Sequence, residues 1–234
     1  MKNQSTIKHI FFDLDHTLWD FETNSKKSYE FIFKQNDLEI EIDLFLQHYI
    51  PINFKYWKLF REEQVTKEKL RYGRLKETFD LLNYTIKDEL IYKLADEYLE
   101  NLSNYNQLFD GTIELLDYLK PKYKLHIITN GFKETQFQKL EKSGLLNYFD
   151  VIVTSECVGV KKPNPKIFFH ALKQATAETY ESVMIGDSLE ADIYGAKNVG
   201  IKSFYVNFAD INNANNKGDT FILINELLEI KQYL

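Results

Sequence analysis

The feature that most constrains this chain is a series of short apolar runs, most of them flanked by helix-like sequence. Residues 8–14, KHIFFDL, form the first, and Leu125–Thr129, Val151–Thr154, Val183–Gly186 and Ser203–Val206 follow. Each has the length and β-branched or aromatic content of a buried strand. The stretches between them carry helix end signals. Asn164 followed by Pro165 reads as an N-cap with proline at the first helical position, and Gly144 and Gly200 stand where helices should stop. Strands alternating with helices predict right-handed βαβ units and hence an α/β fold with a parallel sheet. In such sheets, function collects at the carboxyl ends of the strands.

Residues 20–106 are different, rich in Lys, Glu, Leu, Tyr and Phe and poor in strand alternation. One face of a helical pattern carries Leu90, Ile91, Leu94, Ala95, Tyr98, Leu99 and Leu102, with Thr85 and Asp88 placed as a capping box. A second stripe is Leu70, Leu75, Phe79 and Leu82. These apolar faces are first of all the core of a small bundle. The expected organisation is a core of residues 1–19 and 107–234 with an inserted α-helical domain of residues 20–106. The insertion leaves the core just after the first strand, where it could cover a site and exclude water. Asn212–Asn216 reads as a surface loop.

Four segments carry chemistry. The first strand ends in Asp13-Leu14-Asp15-His16-Thr17. Two carboxylates two residues apart can divide their work, one attacking phosphorus while ionised and the other supplying a proton, although a D-x-D turn is also an ordinary loop or a casual cation site. The run Ile127–Gly131 ends in Thr129, Asn130 and Gly131. A hydroxyl and backbone N–H groups there could bind a phosphate oxygen, and T-N-G is equally a routine strand-to-helix connection. Lys162 stands directly before Pro163, where it could neutralise phosphate charge or simply belong to a surface pair with Lys161. Finally, Gly186-Asp187-Ser188-Leu189-Glu190-Ala191-Asp192 returns to carboxylates after an apolar strand. Hard oxygen ligands of this kind suit Mg2+, with Asp187 the better ligand. Asp192 could orient Lys162 or a metal-bound water, or face the helix N-terminus. Glu190 is expected to be exposed.

Together these segments resemble the four ordered motifs of the haloacid dehalogenase superfamily: D-x-D-x-T, a strand ending in Thr, Lys before Pro, and G-D-x(4)-D. They lie 116 residues apart from Asp13 to Thr129, then 33 to Lys162 and 25 to Asp187. The resemblance implies a doubly wound parallel sheet, a Rossmann-like core, with a helical cap, and it supplies roles. Asp13 would be the nucleophile that forms an aspartyl-phosphate, and Asp15 the general acid and later the base. Mg2+ would be held by the Asp13 carboxylate, the Asp15 backbone carbonyl and Asp187. Thr129 and Lys162 would bind the phosphoryl group, with Thr17 and Asp192 in support. Dehalogenating members usually lack the second Asp, so Asp15 points to phosphate chemistry. Hydrolysis is the expected outcome, with a phosphomutase as an alternative and a non-catalytic binding protein as a reading from another class.

The flanks FFDLDHTLWDFETNS, ITNGFKETQFQKLEKSGLLNYFD and GVKKPNPKIF are most similar to the YjjG-type pyrimidine 5'-nucleotidase branch. That resemblance implies nucleoside monophosphates such as dUMP, UMP or dTMP, with phosphoglycolate or a sugar phosphate as the alternative. Trp19, Phe21 and Phe132 could stack on a base or pack in the core, and Asn24 could touch substrate or cap the first helix of the insertion. The partner is thus a small phosphorylated metabolite. A net charge of -6 gives no basic field for a nucleic-acid polymer or an anionic membrane. No apolar run approaches the roughly 20 residues of a membrane helix. The lone Cys157 and the absence of a signal-peptide core in MKNQSTIKHI point to a cytoplasmic protein, monomeric or a small homo-oligomer.

Overall fold

The computed structural model describes residues 7–208 and 221–234, so the Asn212–Asn216 stretch lies outside the described residues. The chain divides into two compact units, Met1–Phe21 with Asn106–Leu234, and Glu22–Tyr105.

The first unit is an α/β domain. Strand β1 spans His9–Phe12, and the helical segment of the second unit then intervenes as α1 (Phe21–Gln35), α2 (Ile42–Arg61), α3 (Lys67–Leu81) and α4 (Asp88–Leu102). After it come α5 (Thr112–Leu119), β2 (Lys124–Thr129), α6 (Lys133–Lys142), β3 (Val151–Thr154), α7 (Ser155–Val158) and α8 (Pro165–Ala175). The chain continues through β4 (Ser182–Gly186), a π-helical segment Leu189–Tyr194, α9 (Gly195–Asn198), β5 (Lys202–Val206) and β6 (Ile222–Ile224). Among the described residues the strands form one parallel sheet in the order β3-β2-β1-β4-β5-β6. The five expected strands are all present. Strand β6 was not expected, because a three-residue edge strand carries too little pattern to be seen.

Strand β1 is central and buried on both faces, as its unbroken apolar run requires. Phe11 turns to one face, where it packs with Ile128, Phe168, Met184 and Ala196. Burying one such side chain stabilises the fold by about 1.5–3 kcal/mol. Phe12 is in register with Ile127 on one side and Ile185 on the other. From β1 the chain builds outward through β2 and β3, then crosses to β4, β5 and β6 on the other side. The strand order therefore reverses beside β1, and the crevice at such a reversal is where parallel sheets place their sites.

The helix signals hold in most places. The Asn164 side chain accepts a hydrogen bond from the Lys166 backbone N–H at 3.0 Å with Pro165 at the first helical position, and Gly144 and Gly200 stand just past helix ends. Two expectations require correction. Helix α4 begins at Asp88 with Lys87 as its N-cap and no capping side chain, so the Thr85–Asp88 box does not form. Asp88 lies one position inside the helix and accepts a hydrogen bond from the Tyr72 hydroxyl at 2.8 Å instead. Helix α1 starts at Phe21, which puts Asn24 inside its first turns, fully buried, rather than at its cap.

The second unit is held by an aromatic cluster. Tyr29 stacks on Tyr98 at 4.4 Å between centroids and meets Tyr49 and Phe45 edge-on or tilted. Such pairs add about 0.5–1.5 kcal/mol each beyond the area they bury. The buried Arg74 guanidinium lies 5.0 Å from the Tyr98 centroid and donates to Asn53 Oδ1 at 2.8 Å. Cation–π contact and this hydrogen bond offset the cost of taking its charge out of water. The stripes of Ile91, Leu94, Ala95, Tyr98 and Leu102 and of Leu70, Leu75 and Phe79 are buried, while Leu82, Leu90 and Leu99 are half-buried.

Candidate active site

The site forms where β1, β2 and β4 end. The Asp13 N–H donates to the Ile185 carbonyl at 2.9 Å, extending the sheet ladder by one residue and fixing Asp13 at the strand tip. The chain then coils tightly. N–H groups of Thr17, Leu18 and Trp19 all turn to the Leu14 carbonyl, with His16 in the left-handed region at φ 62°. Trp19 closes the loop by bridging both to Asp15 and to Leu108.

Lys162 reaches Asp13 from the segment before α8. Its Nζ lies 2.9 Å from Asp13 Oδ1 and 2.6 Å from Asp192 Oδ1, and donates to the Ile128 carbonyl at 2.7 Å. Burial disfavours the charge, but Asp13 and Asp192 more than compensate and raise the Lys162 pKa above its ordinary value. Lys162, rather than Lys161, is therefore the cation at Asp13. Asn130 fixes the lysine's backbone: its Oδ1 accepts from the Lys162 N–H at 2.7 Å and its Nδ2 donates to the Lys162 carbonyl at 3.0 Å. Of the roles considered for Asp192, the structure shows two. It orients Lys162, and its Oδ2 accepts from the Ser188 N–H at 3.0 Å at the start of the π-helical turn. Gly186 makes room for this, since a Cβ there would lie 2.4 Å from Asp192 Oδ2.

Asp187 completes an acidic group with Asp13 and Asp192, one carboxylate oxygen of each lying within 4.8 Å of the others. The Thr17 hydroxyl donates to Asp187 Oδ1 at 3.4 Å. Burial, opposed by Lys162 and reinforced by Asp192 and Asp15, pushes Asp13 up to about 7. Asp187 is raised well above the usual carboxylate range by burial and then by Asp13 and Asp192. Crowded, partly desolvated carboxylates of this kind suit a hard divalent cation, whose charge would reverse both shifts. Asp192 is already committed to Lys162 and Ser188, which leaves Asp13 and Asp187 as the side-chain donors.

The expected phosphoryl-binding run on β2 is more interconnected than its sequence suggests. The Thr129 hydroxyl donates to Gln136 Oε1 at 3.1 Å and accepts from the Gly131 N–H at 3.1 Å. Gln136 passes on to Asp15, its Nε2 donating to Asp15 Oδ2 at 3.0 Å. The second oxygen of Asp15 is held by Lys139, whose Nζ donates to Oδ1 at 2.5 Å. Sequence reasoning passed over Gln136 and Lys139. A signal was present: with Thr135 and Leu140 they form the buried face of α6, and two long polar residues on such a face call for a polar partner.

Two aromatic expectations are corrected. Trp19 is 0% exposed and Phe132 4%, so neither offers a face on which a base could stack. The Trp19 ring instead carries the Lys139 ammonium 4.1 Å from its centroid, and Phe21 lies on the same cation at 5.1 Å. Glu190 is exposed, as expected. No helix among the described residues is long and apolar enough to cross a membrane.

Comparison with known proteins agrees with this geometry. A family model described as haloacid dehalogenase-like hydrolase matches residues 10–206. The chain is 34% identical over 199 residues to pyrimidine 5'-nucleotidase YjjG of Escherichia coli (strain K12), covering 85% of each protein. It is 31% identical over 238 residues to a glyceraldehyde 3-phosphate phosphatase of Methanothermobacter thermautotrophicus, covering 97% of this chain and 100% of that one. Among solved structures, YfnB from Bacillus subtilis bound to magnesium matches with a TM-score of 0.85 at 28% identity, covering 97% of this chain and 98% of that one. A match across nearly all of the sheet, together with relatives above 30% identity over most of their length, places the chain in the haloacid dehalogenase-like hydrolase family.

Proposed function

We propose that this chain is a Mg2+-dependent phosphomonoester hydrolase that acts through an aspartyl-phosphate on Asp13, with nucleoside 5'-monophosphates as its substrates. The observation that carries the reading is the pairing of Asp13 with Lys162 beside Asp187 at the tip of the central strand. A carboxylate nucleophile and a phosphate repel each other, and a buried ammonium between them lowers that cost where charge develops.

In the first step a carboxylate oxygen of Asp13 attacks phosphorus as the ester P–O bond breaks. Asp15 in its acid form gives its proton to the departing oxygen. Asp15, now a carboxylate, then takes a proton from water as that water attacks phosphorus, and the bond to Asp13 breaks to release orthophosphate. Lys162 holds the phosphoryl oxygens, and the Thr129 hydroxyl, which donates to Gln136, supports the site from the end of β2. Asn130 keeps Lys162 in place. Asp13, Asp187 and the Asp15 backbone carbonyl would hold Mg2+, which supplies charge neutralisation at the phosphoryl oxygens.

The pyrimidine nucleotidase relative supports a nucleoside monophosphate. A second reading, a triose or other sugar phosphate, is favoured by the glyceraldehyde 3-phosphate phosphatase relative, which aligns over its whole length. The test is phosphate release with and without Mg2+ across pyrimidine and purine nucleoside 5'-monophosphates, glyceraldehyde 3-phosphate and phosphoglycolate, ranked by kcat/KM. Highest efficiency on pyrimidine nucleotides supports the reading. Preference for the triose phosphate replaces the substrate and keeps the mechanism, and no release from any ester removes the enzyme reading.

A further inference from the structure

The mechanism above uses Asp15 twice, yet nothing in it holds the Asp15 side chain still. The structure contains a device suited to that task. Both carboxylate oxygens of Asp15 are engaged by residues one turn apart on α6: Oδ1 by Lys139 at 2.5 Å and Oδ2 by Gln136 at 3.0 Å. We infer that Lys139 and Gln136 are positioning residues for the acid–base chemistry of Asp15, forming a fixed two-point clamp on its carboxylate.

Three observations support a built clamp rather than a chance surface pair. First, Lys139 is 1% exposed, and a lysine is taken out of water to this degree only when its charge is answered. Its ammonium lies against the faces of Trp19 and Phe21, so one side meets two aromatic quadrupoles and another meets Asp15. Second, Gln136 is fully oriented. Its amide accepts from Thr129 and donates to Asp15, which leaves no freedom to exchange its oxygen and nitrogen without losing both bonds. Third, the backbone is shaped around it: a Cβ at position 131 would come within 2.3 Å of Gln136 Nε2, so Gly131 is the residue that admits the amide.

The chain of contacts runs from Thr129 through Gln136 to Asp15 and on to Lys139, linking the phosphoryl-binding strand end to the acid–base residue. Placement of a catalytic carboxylate within a fraction of an ångström matters because proton transfer requires hydrogen-bond contact with the reacting oxygen. The inference rests on the phosphatase reading and deepens it. It assigns neither residue a contact with substrate.

The test compares wild type, Lys139→Met, Lys139→Arg, Gln136→Met, Asp15→Asn and Lys139→Met/Asp15→Asn. Steady-state kinetics on an alkyl phosphomonoester accompany thermal unfolding of each. If Lys139 acts through Asp15, Lys139→Met lowers kcat about 100-fold, within the range that acid–base catalysis contributes, with KM changed by less than about threefold. Lys139→Arg restores most of the loss. The double variant is no slower than Asp15→Asn alone, because a clamp with nothing to hold has no further effect. With p-nitrophenyl phosphate, whose leaving group needs no proton, Lys139→Met gives a burst of about one nitrophenolate per enzyme followed by slow turnover. Gln136→Met shows the same pattern more weakly, and it carries the test if Lys139→Met does not fold. Losses that multiply in the double variant, or a fall in kcat with no burst in either folded variant, overturn the inference while leaving the phosphatase reading intact. Absence of phosphate release by wild type overturns both.

Discussion

Replacing Lys162 by Met removes one positive charge and little volume, and the structure sets what this should cost. Nζ is within 2.6–2.9 Å of Asp192 and Asp13, and Asp187 lies in the same group of carboxylates. Removing the cation leaves the buried Asp192 carboxylate and the partly buried Asp13 carboxylate facing each other with no counter-charge. Breaking a buried pair from one side costs about 3–5 kcal/mol. In a protein of this size each kcal/mol moves the unfolding temperature by about 2–4 °C, so a fall of roughly 6–20 °C is expected at pH 7.5. The deficit should also depend on pH. Asp13 is already raised to about 7 with Lys162 beside it, and without the lysine it rises further. Its folded-state pKa then lies above its unfolded value, so the folded variant takes up a proton that the unfolded chain does not. The variant therefore regains stability relative to wild type as the pH falls from 7.5 to 5.5. Added Mg2+ should raise the variant's unfolding temperature more than that of wild type. The assay is thermal unfolding followed by circular dichroism at both pH values. An unfolding temperature within about 2 °C of wild type at pH 7.5, below the smallest shift this scale allows, or a deficit that does not shrink with acid, would refute the reasoning.

Two further predictions concern other parts of the domain. His9 and His126 stack at the other end of the sheet with Nδ1 of one 3.0 Å from Nε2 of the other, and burial followed by the His9 charge lowers His126 to about 4. Because the unfolded imidazole binds its proton near 6.5, this contribution is complete above that pH and is lost as pH falls toward 4. Urea denaturation should show about 2 kcal/mol less stability at pH 5 than at pH 7 from this source, and His126→Leu should flatten that part of the profile. An unchanged slope in the variant would count against it. Gly186→Ala should destabilise by about 1–3 kcal/mol and lower turnover at least tenfold, since its Cβ would lie 2.4 Å from Asp192 Oδ2 and would displace the group that holds Lys162. Wild-type turnover in that variant would show that Asp192 has room to move.

Much of the core and its motifs was legible because strands and functional turns are local. Each apolar run that ends in Asp13, Thr129 or Asp187 announces both a buried strand and what stands at its tip, and the order of these runs fits a doubly wound sheet. Lys162 was legible through Pro163, but whether it belongs to a surface pair with Lys161 was not, because burial at Asp13 is a tertiary fact. Gln136 and Lys139 were not singled out, since long polar residues on a helix are usually solvated, and only the packing of α6 shows that they point inward. Trp19 and Phe132 failed in the opposite sense. Aromatic rings beside a reactive turn suggest stacking faces, yet nothing local reveals that a lysine has already taken one of them. The Thr85–Asp88 box and the Asn24 cap missed by a few residues, which is the scale on which helix ends escape sequence patterns.

The central claim is that Asp13 attacks phosphorus, and the most direct test is to trap the product of that attack. Enzyme turning over p-nitrophenyl phosphate in the presence of Mg2+ is quenched in acid, reduced with borohydride and digested, and the peptide containing Asp13 is sequenced by mass spectrometry. Conversion of Asp13 to homoserine, dependent on substrate and absent from enzyme quenched without turnover, is the result expected of an acyl phosphate at that residue. Phosphate release at a normal rate with Asp13 unmodified under every quench, or undiminished release by Asp13→Asn, would contradict the account.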